Sequence, residues 1–226
     1  MFNEFWGVLF IAVNFLLFLA CYRLFGRTGL FAWIGFATVL ANIQVVKTVE
    51  IGGLMMTLGN TIYASIYLTT DLLNEKYGPK QARKAVWFGF FTLLASTVIM
   101  QMVLKFDPHP DDFAHEPLVA IFDLLPLIAI GSLCAYLVSQ FLDVRLFNWL
   151  KRLFPSDGQL WIRTNGSTAI SQLVDTLVFC TIAFAWEYEF NLWLQIFLTT
   201  YIFKFIVSVS STPVLYIAKR LKVSDE

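Results

Sequence analysis

Residues 5–25 read FWGVLFIAVNFLLFLACYRLF, and the only amide or charged side chains in this run are Asn14 and Arg23. About 20 predominantly apolar residues cross a hydrocarbon layer of about 30 Å as a helix, which rises about 1.5 Å per residue. The run is too long for a signal-peptide core, has no basic leader and offers no small-residue cleavage pattern before Arg23. It is expected to stay in the protein as a spanning helix. Six further windows of the same kind follow: Leu30–Val46, Leu54–Leu73, Ala85–Leu104, Leu125–Phe147, Thr168–Trp186 and Leu192–Ala218. With so much backbone at lipid depth, and no alternation of the kind a barrel strand needs, helices satisfy every amide internally.

The composition of the whole chain agrees. Of its 226 residues, 58% are apolar or aromatic and 14% charged, against about 45–50% and about 25% in soluble domains. Too little polar surface remains to cover a water-exposed globule. Lys plus Arg and Asp plus Glu balance at 16 each, which removes the basic excess of a nucleic-acid binder. Cys21, Cys134 and Cys180 sit inside apolar runs, where a small hydrophobe is the economical reading. The expectation is an all-α, polytopic membrane bundle forming one domain over residues 1–226, with seven spans. Six is the fallback, because the segment from Pro117 to Pro126 reads equally as an interfacial turn or as part of the fifth span.

Basic residues give the direction, since Lys and Arg stay on the cytoplasmic side of short loops. Arg23 and Arg27 follow the first window, Lys76, Lys80, Arg83 and Lys84 the third, Arg145, Lys151, Arg152 and Arg163 the fifth, and Lys219, Arg220 and Lys222 the seventh. The complementary segments carry Lys47 and Lys105 among acids such as Glu50, Asp107, Asp111, Asp112, Glu116 and Glu187. The N-terminus is therefore expected outside and the C-terminus in the cytoplasm. Trp6, Trp87, Trp149, Trp161, Trp186 and Trp193 fall near the proposed span ends, at headgroup level, and Trp33 near a cytoplasmic end.

Polar residues at helical spacing inside a span point to a packed or watered interior. Asn60, Tyr63, Tyr67, Asp71 and Asn74 share one face of the third window, with Glu75 at its cytoplasmic end. Thr168, Ser171, Gln172, Asp175 and Thr176 form a second set, preceded by Arg163 and Asn165, and Thr200, Lys204, Ser208 and Ser211 a third. Asp175 and Lys204 both fall near the midplane, where a lone charge costs at least about 2.5–3.5 kcal/mol. They are expected to face the same interior and to pair; a buried ion pair that only fixes helix register is the competing reading. Asp71, a turn deeper than Glu75, is the better site candidate, while Glu75 reads equally as a solvated helix end. Lys47 is explained by snorkelling, Asn42 needs a partner, and Gln140 and Asp143 suit capping or gating as well as binding.

Enzymatic signals are poor. His109, Asp111, Asp112 and His115 share one acidic loop but match no zinc spacing, and no HExxH, GxSxG or GxxxxGK[ST] occurs. Neither a metal nor another cofactor is expected, and the chain is not read as an enzyme.

The strings TDLLNEKYGPKQARKAVWFG, ANIQVVKTVEIGG upstream and RTNGSTAISQLVDTLVF downstream together resemble the queuosine precursor transporter family, of the VUT or vitamin uptake transporter type, from about Ala41 to Lys219. The resemblance implies a bacterial inner-membrane carrier for deazaguanine precursors of queuosine, a modified tRNA nucleoside. Carried onto this sequence, it singles out Asn42 and Lys47, then Asn60, Tyr63, Asp71 and Glu75, then Gln140 and Asp143, and downstream Arg163, Asn165, Ser171, Gln172 and Asp175, with Lys204 in the last span. Asn42, Asn60, Tyr63, Asp71, Gln172, Asp175 and Lys204 are the substrate-binding candidates; Lys47, Glu75, Gln140, Asp143, Arg163, Asn165 and Ser171 are secondary or gating ones.

A guanine-like edge presents an N1 hydrogen and an amino group as donors and O6 as acceptor. Asp175 with Gln172, supported by Asn42 or Asn60, offers the complement, and Tyr63 a ring to stack on the heterocycle. The expected site is a midplane pocket between the second, third, sixth and seventh spans, in which loss of Asp175 or Gln172 abolishes uptake. The expected partners are a small deazaguanine, 7-cyano- or 7-aminomethyl-substituted, and the lipid bilayer, without nucleic acid. No ATPase module is encoded, and a homo-oligomer stays open. The alternatives are a carrier of another vitamin or nucleobase-like solute, a membrane-embedded enzyme and a non-transporting scaffold subunit.

Overall fold

The computed structural model describes residues 2–51, 54–123, 126–186 and 188–223. Leu125 and Glu187, used in the sequence reading, lie outside them. The elements are α1 (Phe2–Gln44), β1 (Thr48–Ile51), β2 (Leu54–Thr57), α2 (Gly59–Tyr77), α3 (Pro79–Val103), α4 (His115–Phe122), α5 (Pro126–Leu153), a 3-10 turn (Asp157–Gln159), α6 (Leu160–Phe184), α7 (Phe190–Ser210) and α8 (Thr212–Arg220).

The opening helix is two rods. At Gly26 the backbone takes φ 54° and ψ −138°, a combination open to glycine and closed to L side chains. The chain folds back there. Phe18 meets Trp33 edge to face at 5.8 Å between ring centroids, and Asn3 Nδ2 donates to the carbonyl of Glu50 at 3.1 Å. The limbs 2–25 and 27–44 are thus antiparallel neighbours, matching the first and second windows.

α2 is the axis of the bundle. It packs against α1, α3, α5, α6, α7 and α8, and almost every residue from Thr61 to Asn74 is buried. Shielded from lipid by its neighbours, it can carry Thr69, Thr70, Asp71 and Asn74 without meeting hydrocarbon. It ends at Gly78 (φ 84°), and Pro79 opens α3, so a Gly-Pro dipeptide turns the chain between two long helices. The outer helices show the opposite pattern. Phe5, Val8 and Leu16 on α1, Phe91, Val98 and Ile99 on α3, and Ile202 and Ile206 on α7 face outward, as a lipid solvent requires.

Several boundaries differ from the sequence reading; α3 already begins at Pro79 and α5 runs on to Leu153. Residues expected to begin the third span form β2, paired antiparallel with β1 from Thr48↔Thr57 to Ile51↔Leu54, and the Leu58 amide donates to the Lys47 carbonyl at 3.1 Å to close the base of this hairpin. The sixth helix starts at Leu160, not Thr168. The last span divides at Ser211, where Pro213 lies in the first turn of α8. His115–Phe122, overlapping the segment read as a turn or as part of the fifth span, form a separate short helix, α4. Trp33 is a core residue: 5% exposed, it donates Nε1–H to Ser65 Oγ at 2.9 Å, because the Gly26 fold lays its limb against α2.

Candidate functional site

A cavity of about 440 Å³ opens among α1, α2, α3, α5, α6 and α7. Its lining comes from one end of the bundle: the last turns of α1 (Thr38, Ala41, Asn42), the first turns of α2 (Gly59, Asn60, Tyr63), the first half of α5 (Ser132, Ala135, Tyr136) and the later half of α6 from Asp175 on. α7 adds Thr199, Thr200, Phe203 and Lys204. Gly59 allows the helices at its rim to cross closely, since a Cβ there would stand 2.6 Å from the Ala41 carbonyl oxygen.

At the deep end Asp175 gathers three donors from three helices. Tyr63 Oη and Ser139 Oγ each donate to Oδ1 at 2.9 Å, and Lys204 Nζ to Oδ2 at 2.8 Å. The ammonium also lies 5.1 Å from the centroid of the Tyr63 ring, a cation–π contact. Asp175 and Lys204 side chains are 3% and 11% exposed. Buried this deeply, an ion pair needs further hydrogen bonds to support it, and Tyr63 and Ser139 supply two of them to the carboxylate. Asn42 Nδ2 donates to the Thr38 carbonyl at 2.9 Å, which leaves its own carbonyl and one N–H for the cavity.

Of the substrate-binding candidates, Asn42, Asn60, Tyr63, Asp175 and Lys204 line this cavity; Asp71 and Gln172 do not. Gln172 Nε2 donates to Ser208 Oγ at 2.6 Å, tying α6 to α7. Asp71 lies two turns further along α2, in contact with Asp143 of α5, to which Ser171 Oγ donates at 2.8 Å. The cavity also reaches α3 and α5, beyond the four expected spans, through Leu93, Ser132, Ala135 and Tyr136. Ser139 went unnoticed in the sequence, although its position four residues before Asp143 puts it on the same polar face of α5.

The other end of the bundle is closed by charge. Glu75 Oε1 accepts from Arg163 at 3.0 Å and Lys219 at 2.6 Å, and Oε2 pairs with Lys151 at 3.0 Å. Arg163, fully buried, also donates to the carbonyls of Phe154 and Ser156. Lys219 reaches the exposed Asp157 as well, and that hydrogen bond holds the Asp157 carboxyl below the ordinary aspartate range. Asn165 Oδ1 accepts from Thr212 at 3.0 Å, pinning α6 to α8. Gln140 Oε1 faces Thr70 Oγ1 at 3.4 Å, and Lys47 is exposed beside the β-hairpin.

Residues 57–218 match the family model described as "Putative vitamin uptake transporter". The chain is 52% identical over its whole length to a Bacillus subtilis (strain 168) protein named "Probable queuosine precursor transporter", of which it covers 99%. It is 29% identical over 174 residues, 75% of each chain, to the Escherichia coli (strain K12) protein named "Queuosine precursor transporter". No solved structure is a significant match.

Proposed function

Because this chain belongs to the vitamin uptake transporter family, we propose that it takes up a queuosine precursor, a 7-deazaguanine, through the bacterial inner membrane, and that it does so as a carrier and not as an enzyme. One observation carries the reading: a cavity of about 440 Å³ that combines a carboxylate, an ammonium and two carboxamides with aromatic walls. That volume suits a small heterocycle, as small-molecule sites span about 300–1,000 Å³.

The chemistry of the edge fits the donors and acceptors at hand. Lys204 gives one of its three N–H groups to Asp175, so another can meet O6. Asp175 accepts three hydrogen bonds and keeps capacity for an N1–H or amino donor. The Asn42 carbonyl and Asn60 supply further partners, and a flat ring slides against Tyr63, Tyr136 or Phe179. Stacking of this kind contributes about 1–3 kcal/mol per base.

The distribution of Lys and Arg supports an outside N-terminus and a cytoplasmic C-terminus. In that orientation the cavity faces outward. Glu75 follows Tyr63 by 12 positions on α2, about 18 Å of packed helix, closed at the cytoplasmic end by the Glu75 network. This is an outward-facing carrier. A cationic aminomethyl precursor would gain about 2.3 kcal/mol per 100 mV of inside-negative potential, and a neutral nitrile nothing.

The test is uptake of labelled 7-cyano- and 7-aminomethyl-7-deazaguanine by cells unable to make either, with queuosine in their tRNA as a second readout. Cells carrying this chain should take up at least one of the two. Failure with both compounds, with the protein present in the membrane, would refute the reading.

A further inference from the structure

Below the cavity, and outside its lining, lies a second polar centre. Asp71 and Asp143, 1% and 0% exposed, are neighbours across the α2–α5 interface, and both oxygens of Asp71 and one of Asp143 are buried without a hydrogen-bond partner among the described residues. Neither has an ion-pair partner among the described residues. Arg163, Lys151 and Lys219 are drawn to Glu75, and Lys204 to Asp175.

Acceptors outnumber donors here. Both oxygens of Asp71, Oδ2 of Asp143 and Oδ1 of Asn74 are buried without a hydrogen-bond partner among the described residues; the Ser171 hydroxyl donates to Asp143 Oδ1, and the Ser167 and Thr168 hydroxyls lie on the Asp143 side of the pair. Two carboxylates in contact, out of water and without a cation, cannot both carry charge. One proton between them removes a charge and gives each side chain the partner it lacks.

A route joins this pair to the cavity. Tyr67 sits one turn before Asp71 on α2, and its buried hydroxyl, without a hydrogen bond of its own, faces Ser139 and stands near both Asp175 and Asp143. Ser139 in turn donates to Asp175 at the cavity floor. The titratable and charged groups around the pair are Tyr67 and Glu75 on α2, Lys151 on α5, Arg163 and Asp175 on α6, Lys204 on α7 and Lys219 on α8.

We propose that Asp71 and Asp143 form a proton-binding site, reached from the cavity through Ser139 and Tyr67, whose loading and release couple the carrier to a proton gradient. A proton from the outer water forms an O–H bond on one carboxylate of the pair, and the same bond breaks when the pair is opened to the cytoplasm. No other reactant is needed. The coupling role rests on the transport reading above; the bound proton does not.

Two measurements therefore separate them. Infrared spectra of the reconstituted protein at neutral pH should contain a carboxylic acid carbonyl band that shifts in deuterium oxide and is lost in Asp71→Asn/Asp143→Asn. Absence of that band, or its persistence in the double variant, would overturn the site whatever the substrate is. In proteoliposomes, an outside-acid gradient of one pH unit should raise precursor accumulation about ten-fold at one proton per substrate. Asp143→Asn should still bind labelled precursor yet show no response to the gradient. A wild-type protein that accumulates precursor without regard to pH, or in response to a sodium gradient, would overturn the coupling, as would an Asp143→Asn variant that keeps the response.

Discussion

At the level of single residues, the cavity floor separates side chains that hold the fold from side chains free to meet a ligand. Asp175 is bound by Tyr63, Ser139 and Lys204 together, so removing one charge leaves the other buried and uncompensated. Asp175→Asn and Lys204→Met are each expected to destabilise the protein by about 3–5 kcal/mol. The double variant Asp175→Asn/Lys204→Met should recover much of that loss in thermal unfolding of the solubilised protein. Singles no less stable than the double would show that the pair is not coupled. Asn42 behaves differently, since its amide holds only a carbonyl of its own helix. Asn42→Ala and Asn60→Ala should cut precursor uptake while changing stability by no more than about 1.5 kcal/mol. Glu75 anchors three cations, one of them the fully buried Arg163; Glu75→Ala should therefore unfold at a clearly lower temperature than Glu75→Gln, which keeps an acceptor for Arg163.

At the level of elements, two devices decide the bundle. The first is the reversal at Gly26, whose φ of 54° with ψ of −138° no L side chain adopts comfortably. Gly26→Ala is expected to cost about 1–3 kcal/mol, read as a lower thermal midpoint. A neutral Gly26→Ala would mean that the hairpin turns without this conformation. The second is the polarity of α2. Hydropathy alone identifies α1, α3, α5, α6 and α7–α8 as long and apolar enough to cross a membrane, and α2 is not among them. Its face of Asn60, Tyr63, Tyr67, Asp71 and Asn74, spaced by threes and fours, was nonetheless readable, because a helix enclosed by other helices is free to be polar. The apolar window Leu54–Leu73 placed a span here only by taking in the residues of β2, and the helical spacing of the polar residues marked that span as an enclosed one. The β-hairpin is the converse. TVEI and LMMT flank the dipeptide Gly52-Gly53, a hairpin signal, but a scan for apolar length absorbs the second strand into the following span.

At the level of the whole molecule, orientation decides what the cavity faces. Single cysteines introduced in a background without Cys21, Cys134 and Cys180 provide the check. His109→Cys, in the segment between α3 and α4, should react with a membrane-impermeant thiol reagent added to intact cells, and Lys80→Cys, at the α2–α3 turn, only after the membrane is opened. The reverse pattern would turn the cavity toward the cytoplasm and the Glu75 network toward the outside. The stacking of layers along α2 was only partly legible in the sequence. Tyr63, Asp71 and Glu75 read as one stripe, yet they serve three levels: the cavity floor, the contact with Asp143 and the charged closure. Spacing along a helix assigns a face; it does not say what the neighbouring helix presents at each height.

The sequence by itself determined that the chain is a helical membrane protein with polar faces turned inward, because the length of an apolar run and its helical period are local properties of the chain. Only the tertiary structure decided which of those polar residues share one space. Asp175 meets Lys204 and Tyr63, Asp71 meets Asp143, and Gln172 is occupied by Ser208. The physical reason is that these contacts join residues 29 to 112 positions apart on different helices, so they depend on the rotation and height at which the helices pack, which no single segment encodes.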